Sequence, residues 1–428
     1  MDLLSQFKKH YLHYLVSIII PTIITAVSIP LFKLLLGAAS YGNFAIIFNS
    51  VLICTATLTG WISQSVIRYY PSSLNKQFFV KQSLSLSIKT QGLFILPVFL
   101  VVWYFNNDWI LAFFFCATLF ISALQFTIVS ISQSIFLSKK NIFSEFIRTV
   151  TYILTAIFLL KYTSLNFLYS LFSAIIISYT LSFIYLNKQV KKALLAKQNK
   201  EQESFKVFSK RFLKYGLPLS FWFIFAYLIT LTDKLFIRQI VGGEVQGNYQ
   251  AIFDLISKSI TLIISPVIIS LFPLLTTAFA KGENQEIKRL LVKIILFEFA
   301  GLVITTVAYW WFGADLLFAI IDTPNTLEYK LMGLMVIAGT FIWQIAIVVQ
   351  KKYELQFKSR YLLFMLMVAY LLQLIFYIVF GKSGSQLIFP FGFLLATTVY
   401  LLLISVADIY NLMFKFFNKI KINNKLEG

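Results

Sequence analysis

The chain repeats itself. Residues 36–49 read LGAASYGNFAIIFN and residues 241–254 read VGGEVQGNYQAIFD. At a constant offset of 205 residues, Gly37, Gly42, Asn43, Ile47 and Phe48 meet Gly242, Gly247, Asn248, Ile252 and Phe253. Phe44 against Tyr249 and Asn49 against Asp254 are near matches in the same frame, and Lys33 falls onto Arg238. Each half therefore carries a cation at one matching point, inside an apolar stretch where charge is expensive. Duplication with paired cations in lipid is the pattern of transporters built from internal repeats.

The apolar stretches belong to a membrane protein. Of 428 residues, 59% are hydrophobic and 13% charged, and the mean hydropathy of +0.81 is beyond the range of a water-soluble domain of this length. Apolar runs of about 20 residues recur, each long enough to cross about 30 Å of hydrocarbon as a helix, whereas barrel strands alternate in units of about 10. Twelve spans are expected near 11–34, 44–65, 83–104, 109–134, 142–160, 164–187, 213–240, 246–273, 289–311, 329–350, 359–381 and 386–411. Lys8, Lys9 and the later Ala38-Ala39-Ser40 give the first span some look of a signal peptide. Its apolar run is about twice the usual length, so a retained helix is expected. Cys54 and Cys116 fall within spans and His10 and His13 at the mouth of the first, which offers no disulfide framework, metal site or cofactor.

The formal charge of +20 follows the membrane and does not point to nucleic acid. With the N-terminus placed inside, the inward ends hold 27 Lys and Arg, and the outward loops only Lys161, Lys330 and Lys382. That bias places both termini on the cytoplasmic side. Residues 188–211 form the one long hydrophilic stretch, a basic linker between an N-terminal bundle (1–187) and a C-terminal bundle (212–428). Lysines there suit anionic lipid headgroups. Because each half has six spans, both enter from the same side, and a pseudo-two-fold axis along the membrane normal is expected. The expected fold is thus all-α, two six-helix bundles around a central cavity. The longest outward loop, about 312–328, has no room for a catalytic domain, and no Gly-rich phosphate loop or nucleophile–base grouping occurs, so no enzyme activity is expected.

Four cations stand in the spans flanking such a cavity: Lys33, Lys234, Arg238 and Lys258. A charge at bilayer depth costs on the order of 2.5–3.5 kcal/mol, which calls for water, pairing or an anionic ligand. Pairing is one account: Asp233 neutralises a neighbour, Asp254 neutralises Lys258 four residues on, and Lys33 and Arg238 snorkel outward. Binding is the other, since four cations outnumber Asp233 and Asp254, and Arg offers phosphate a bidentate fork. Asn49, Gln64, Gln125, Gln133, Gln344 and Gln373 read mainly as interhelical hydrogen bonds. Glu298 and Asp408 are candidates for ion coupling. Arg148 and Lys293, near inward ends, read as snorkelling anchors. The four repeated glycines are read as permitting a tight outer turn. Pro21 and Pro30 are candidate kink points, and Trp103, Trp109, Trp310 and Trp311 an outer aromatic belt.

With these features the chain resembles the polysaccharide repeat-unit flippases of the O-antigen and capsule type, within the multidrug/oligosaccharidyl-lipid/polysaccharide exporter superfamily. The resemblance rests on length, twelve spans, the six-plus-six duplication, the Gly-Asn-Phe and Gly-Asn-Tyr starts of the second helix in each half, and Ile67-Arg68-Tyr69-Tyr70-Pro71. Asp233 also looks like a position where that family carries an acid. It implies movement of undecaprenyl-diphosphate-linked oligosaccharide from the inner to the outer leaflet of the bacterial cytoplasmic membrane. The diphosphate would meet Lys33, Lys234, Arg238 and Lys258, the polymerase and chain-length regulator would be partners, and an ion gradient would drive the step. A multidrug exporter of the same superfamily is the nearest rival and would want carboxylates for cationic drugs. Lipid-linked peptidoglycan-precursor flippases look like fourteen-span proteins. A membrane-embedded O-antigen polymerase or glycosyltransferase would need a larger outward loop.

Overall fold

The computed structural model describes residues 23–406, apart from 25, 71, 72, 74, 136, 195–203, 281, 282 and 357. Every regular element among them is helical. They run α1 (Ala26–Leu36), α2 (Ala38–Tyr69), α3 (Lys76–Asn106), α4 (Trp109–Ser134), α5 (Ser138–Tyr162), α6 (Phe167–Leu194), α7 (Phe205–Ile240) and α8 (Gly243–Ala280). Then follow α9 (Asn284–Ala308), a π turn (Tyr309–Gly313), α10 (Ala314–Ile321), α11 (Leu327–Leu355) and α12 (Ser359–Phe380), with α13 (Ile388–Val406) last. Eleven described stretches are long and apolar enough to cross a bilayer, with α9, the π turn and α10 forming one of them. Helix α1 lies at the C-terminal end of the first expected span. All twelve expected spans thus meet a helix, and the all-α membrane fold is as expected.

The helices outrun the apolar runs because the hydrocarbon limits only the apolar part, and backbone hydrogen bonding continues into the headgroup zone. Helices α7 and α8 reach 36 and 38 residues. The expected outward loop at 312–328 is mostly helix. Apolar residues continue through ADLLFAII, and the π turn absorbs the irregularity at Tyr309–Gly313. The chain turns only at Asp322, with φ 49°, and Thr326 caps α11 by accepting from Tyr329 N. Within the expected linker, α6 continues to Leu194 and α7 begins at Phe205, while 195–203 lie outside the described residues. His10, His13, Pro21 and Asp408 also lie outside them.

The repeat is visible as geometry. Gly37 and Gly242 both have positive φ, 78° and 125°, and each makes the turn into the next helix. An L side chain is strained at such angles, so the same short connection demands Gly twice.

The described residues form two compact units, one running to Leu255 and one from Ile256 onward, so the boundary falls inside α8. In the first, α2 packs along α7 and α4, α4 along α3 and α6, and α5 along α6. Gln125 on α4 donates to Ser182 Oγ on α6 at 2.8 Å, and Ser144 Oγ on α5 lies 2.7 Å from the same hydroxyl. This is the interhelical polar role expected for Gln125. In the second unit, Val267, Leu271 and Leu275 pack with Leu290, Ile294, Val348 and Leu355. There Tyr377 donates to Phe389 O at 2.7 Å and Tyr400 to Gln350 Oε1 at 2.7 Å, tying α13 to α12 and α11.

Candidate functional site

In the first unit, the N-terminal ends of α2 and α8 and the C-terminal end of α7 carry a polar cluster. Asp233 and Lys234 on α7 are 0% and 1% exposed and paired, with Nζ 3.2 Å from Oδ1. Tyr249 on α8 donates its phenol to Asp233 Oδ2 at 2.6 Å. The Lys234 ammonium also donates to Thr230 O and sits 3.5 Å from the centre of the Phe253 ring. The pairing expected for Asp233 is therefore present. It holds Lys234 in a closed packet of opposite charge, carbonyl and aromatic faces, as a buried charge requires.

One turn further along α7, Arg238 is exposed and its Nη1 donates to Asn43 Oδ1 on α2. Lys33, its partner in the repeat, is 4% exposed. Outward snorkelling therefore fits Arg238 but not Lys33, whose side chain is packed inside the first unit. Asp254 is half-buried and accepts from Tyr41 at 2.9 Å, a contact between residues 213 apart. Asn49 is half-buried on α2. Lys258, half-buried on α8, belongs to the second unit. The structure thus gathers Asp233, Lys234, Arg238 and Asp254 with Asn43, Tyr41 and Tyr249.

Glu298 on α9 is 0% exposed, and neither carboxylate oxygen has a hydrogen-bond partner among the described residues. Phe341 lies against Gly301 and Tyr309 against Gly333, which sets α9 and α11 antiparallel with Glu298 level with Gln344. Lys293, on the same helix, is exposed.

A second charged pair was not expected. Arg148 on α5 donates through Nε and Nη2 to Glu145 Oε2, at 2.9 and 2.7 Å, and its guanidinium stands 5.0 Å from the Tyr179 ring centre on α6. Both members of the pair keep 27–29% of their side chains exposed. Tyr152, one turn along α5, lies within electrostatic reach of Arg148, Tyr179 and Tyr41. The reading of Arg148 as a snorkelling anchor did not include this pair: the guanidinium is bonded to Glu145 and stands over Tyr179, about 15 Å along its helix. The opposite charge three residues earlier was the available signal. No sequence signal marked Tyr179, while Tyr41 and Tyr249 stood out only as members of the repeated segments.

Among the described residues no group of three or more His, Cys, Asp or Glu is arranged to hold a metal ion. The arrangement supplies an exposed guanidinium at Arg238, one buried ion pair at Asp233 and Lys234, one partly exposed pair at Glu145 and Arg148, and the phenols packed beside them.

No protein-family profile and no curated protein sequence matches the chain. Solved structures do. A superfamily transporter from Pyrococcus furiosus, described as having a binding pocket of reversed polarity that suggests a different function, superposes with TM-score 0.72 at 11% identity, over 96% of both chains. A Vibrio cholerae MATE transporter gives 0.68 at 12% identity, over 96% of this chain and 97% of that one. An inward-facing multidrug-resistance MATE transporter gives 0.66 at 13% identity, over 90% and 92%. Along nearly its whole length, this chain has the fold of the MATE transporters of the multidrug/oligosaccharidyl-lipid/polysaccharide exporter superfamily.

Proposed function

We propose that this protein is a transporter that moves a polar cargo across the membrane by alternating access, with the repeats 1–187 and 212–428 rocking against each other. The observation that carries the reading is charge placed inside membrane-spanning helices of a duplicated fold, at Lys33, Asp233, Lys234 and Arg238. Charge at that depth is costly and marks substrate or ion pathways.

Two cargo classes have support. The basic excess at Lys33, Lys234, Arg238 and Lys258 and the sequence resemblance favour an undecaprenyl-diphosphate-linked oligosaccharide for O-antigen or capsule assembly. On that reading the protein works in the bacterial cytoplasmic membrane with both termini inside, beside a polymerase and chain-length regulator, and Glu298 or Asp408 carries the coupling ion. Multidrug export is supported at least as well by the fold neighbours, which are described as multidrug-resistance transporters. The pairing of Lys234 with Asp233 supports it too, because it removes one cation from the excess. A polymerase or glycosyltransferase has less support, since it would need a large outward loop, and the longest one expected here, about 312–328, is helical as far as Ile321.

A deletion strain separates these. Accumulation of prenyl-linked units on the inner leaflet with loss of surface polymer supports the flippase. Normal surface polymer with hypersensitivity to cationic drugs supports multidrug export. Units that reach the outer leaflet but stay unpolymerised would overturn transport in favour of a polymerase.

A further inference from the structure

The Glu145–Arg148 pair stands on the side of α5 that turns away from lipid. Phe143, Leu154 and Phe158 are 49%, 63% and 58% exposed and share one face of that helix. Positions 145, 148 and 152 share the opposite face, half a helical turn round. Ser144, Thr149 and Ala156, which flank them, are buried. Side chains that keep 27–29% of their surface on such a face are open to water and not to hydrocarbon. The Asp233–Lys234 pair, by contrast, is closed on itself at 0% and 1% exposure.

Phenols gather round the open pair. Tyr179 on α6 lies under the guanidinium, with its ring centre at 5.0 Å. Tyr152, one turn along α5, rests edge to face on Phe32 of α1 at 5.3 Å. Tyr227 on α7 is half-buried and within electrostatic reach of Tyr179. Three helices of the first unit thus bring three phenols to one ion pair.

The pair brings no net charge, so a lone phosphate or a lone cation gains little from it. What it does bring is unused bonding capacity. Both bonds from Arg148 go to Glu145 Oε2, and Oε1 accepts none from a described residue. The guanidinium in turn has more donors than the two it gives to Glu145. An acceptor oxygen beside a donor fork matches neighbouring hydroxyls of a sugar ring, each of which can donate and accept. Hydrogen bonds to charged partners are the stronger kind. The phenol faces suit the apolar C–H face of the same ring, and their hydroxyls suit its oxygens. Because Arg148 is already held by Glu145 and Tyr179, little side-chain entropy is lost on binding.

We propose that Glu145 and Arg148, framed by Tyr152, Tyr179 and Tyr227, form a subsite for an uncharged sugar ring of the cargo. The assignment rests on the lipid-linked oligosaccharide reading above and adds to it the side chains that meet the saccharide and not the diphosphate.

The test compares two probes on the full chain in nanodiscs of phosphatidylcholine. One is the prenyl-linked unit extracted from the deletion strain, and the other is undecaprenyl diphosphate without sugar. Glu145→Gln with Arg148→Gln, which keeps size and removes both charges at partly exposed positions, is expected to weaken binding of the sugar-bearing probe about ten-fold or more. Its binding of the sugar-free probe is expected to stay as in the parent. Arg148→Lys is expected to weaken the sugar-bearing probe by a smaller factor. Should the double variant fold poorly, the exchange of Glu145→Arg with Arg148→Glu is read in the same way. Equal weakening of both probes assigns the pair to the diphosphate or to the fold and overturns the subsite, as does unchanged binding of both. A parent that binds the two probes equally well also overturns it, and leaves the flippase reading standing. If the deletion strain accumulates no prenyl-linked unit, the flippase reading itself fails and the subsite falls with it.

Discussion

Gly42 and Gly247, at the same position of the two repeats, pack directly against each other. A Cβ on Gly42 would lie 2.9 Å from Gly247 Cα, and one on Gly247 would lie 1.8 Å from Ala38 O. The four repeated glycines therefore divide into two roles, not the single turn role expected of them. Gly37 and Gly242 make the turn, while Gly42 and Gly247 let two helix starts touch. Gly247→Ala must push backbone aside and is expected to cost at least about 1–3 kcal/mol. Gly37→Ala meets open space and bears only the backbone strain of φ 78° with ψ 159°, about 1–3 kcal/mol. Thermal unfolding in detergent should rank Gly247→Ala as the more damaging, and the reverse order would contradict the contact.

The Asp233–Lys234 pair is wholly buried, so removing one member strands the other. Asp233→Asn is expected to cost about 3–5 kcal/mol, while Asp233→Asn combined with Lys234→Met recovers most of it. A double-mutant cycle on unfolding reads this directly. Additive losses would show that the two side chains do not depend on each other.

Lys33 and Arg238 share a repeat position but not an environment, one buried and the other exposed on Asn43. If both serve the cargo, neutral replacement of the pair abolishes transport at normal membrane levels, and Lys293→Gln, at an exposed site on α9, does not. The repeat further predicts that Lys33 couples to Asn248 as Arg238 does to Asn43. Full transport by the Lys33→Gln/Arg238→Gln variant would remove both from the path.

Glu298 holds a carboxyl group in a buried site with no donor to either oxygen among the described residues. Glu298→Gln keeps its shape and sheds any charge, so the fold is expected to melt at the same temperature or higher. Should Glu298 carry the coupling ion, the same variant loses gradient-driven transport. Unchanged transport under an imposed ion gradient would reassign it to packing.

Much of this was legible in the sequence for a simple reason. Bilayer thickness sets the length of apolar runs, so twelve helices could be placed from hydropathy alone. Adjacent charges, as at Asp233 and Lys234, also declared their pairing. What stayed hidden depends on the third dimension. The bond from Tyr41 to Asp254 spans 213 residues, and nothing local marks either end. The 312–328 segment was misread because apolarity ends less sharply than a loop would, and the chain bridges the gap with a π turn. The Glu145–Arg148 pair went unnoticed because the distance of Arg148 from the expected helix end was weighed and its carboxylate neighbour was not.

That neighbour allows structure to be separated from transport at Arg148. Glu145 and Arg148 are three residues apart on one helix face, so exchanging them, Glu145→Arg with Arg148→Glu, preserves the ion pair while moving the cation most of a turn away from Tyr179. Pairing accounts for the fold requirement, so the exchanged protein is expected to reach the membrane and melt within about 1 kcal/mol of the parent. If the guanidinium beside Tyr179 touches the cargo, transport falls at least ten-fold in the exchanged protein, while Arg148→Lys, whose ammonium stays beside Tyr179, retains a measurable fraction. Equal transport by parent and exchanged protein would mean that Arg148 serves only its carboxylate.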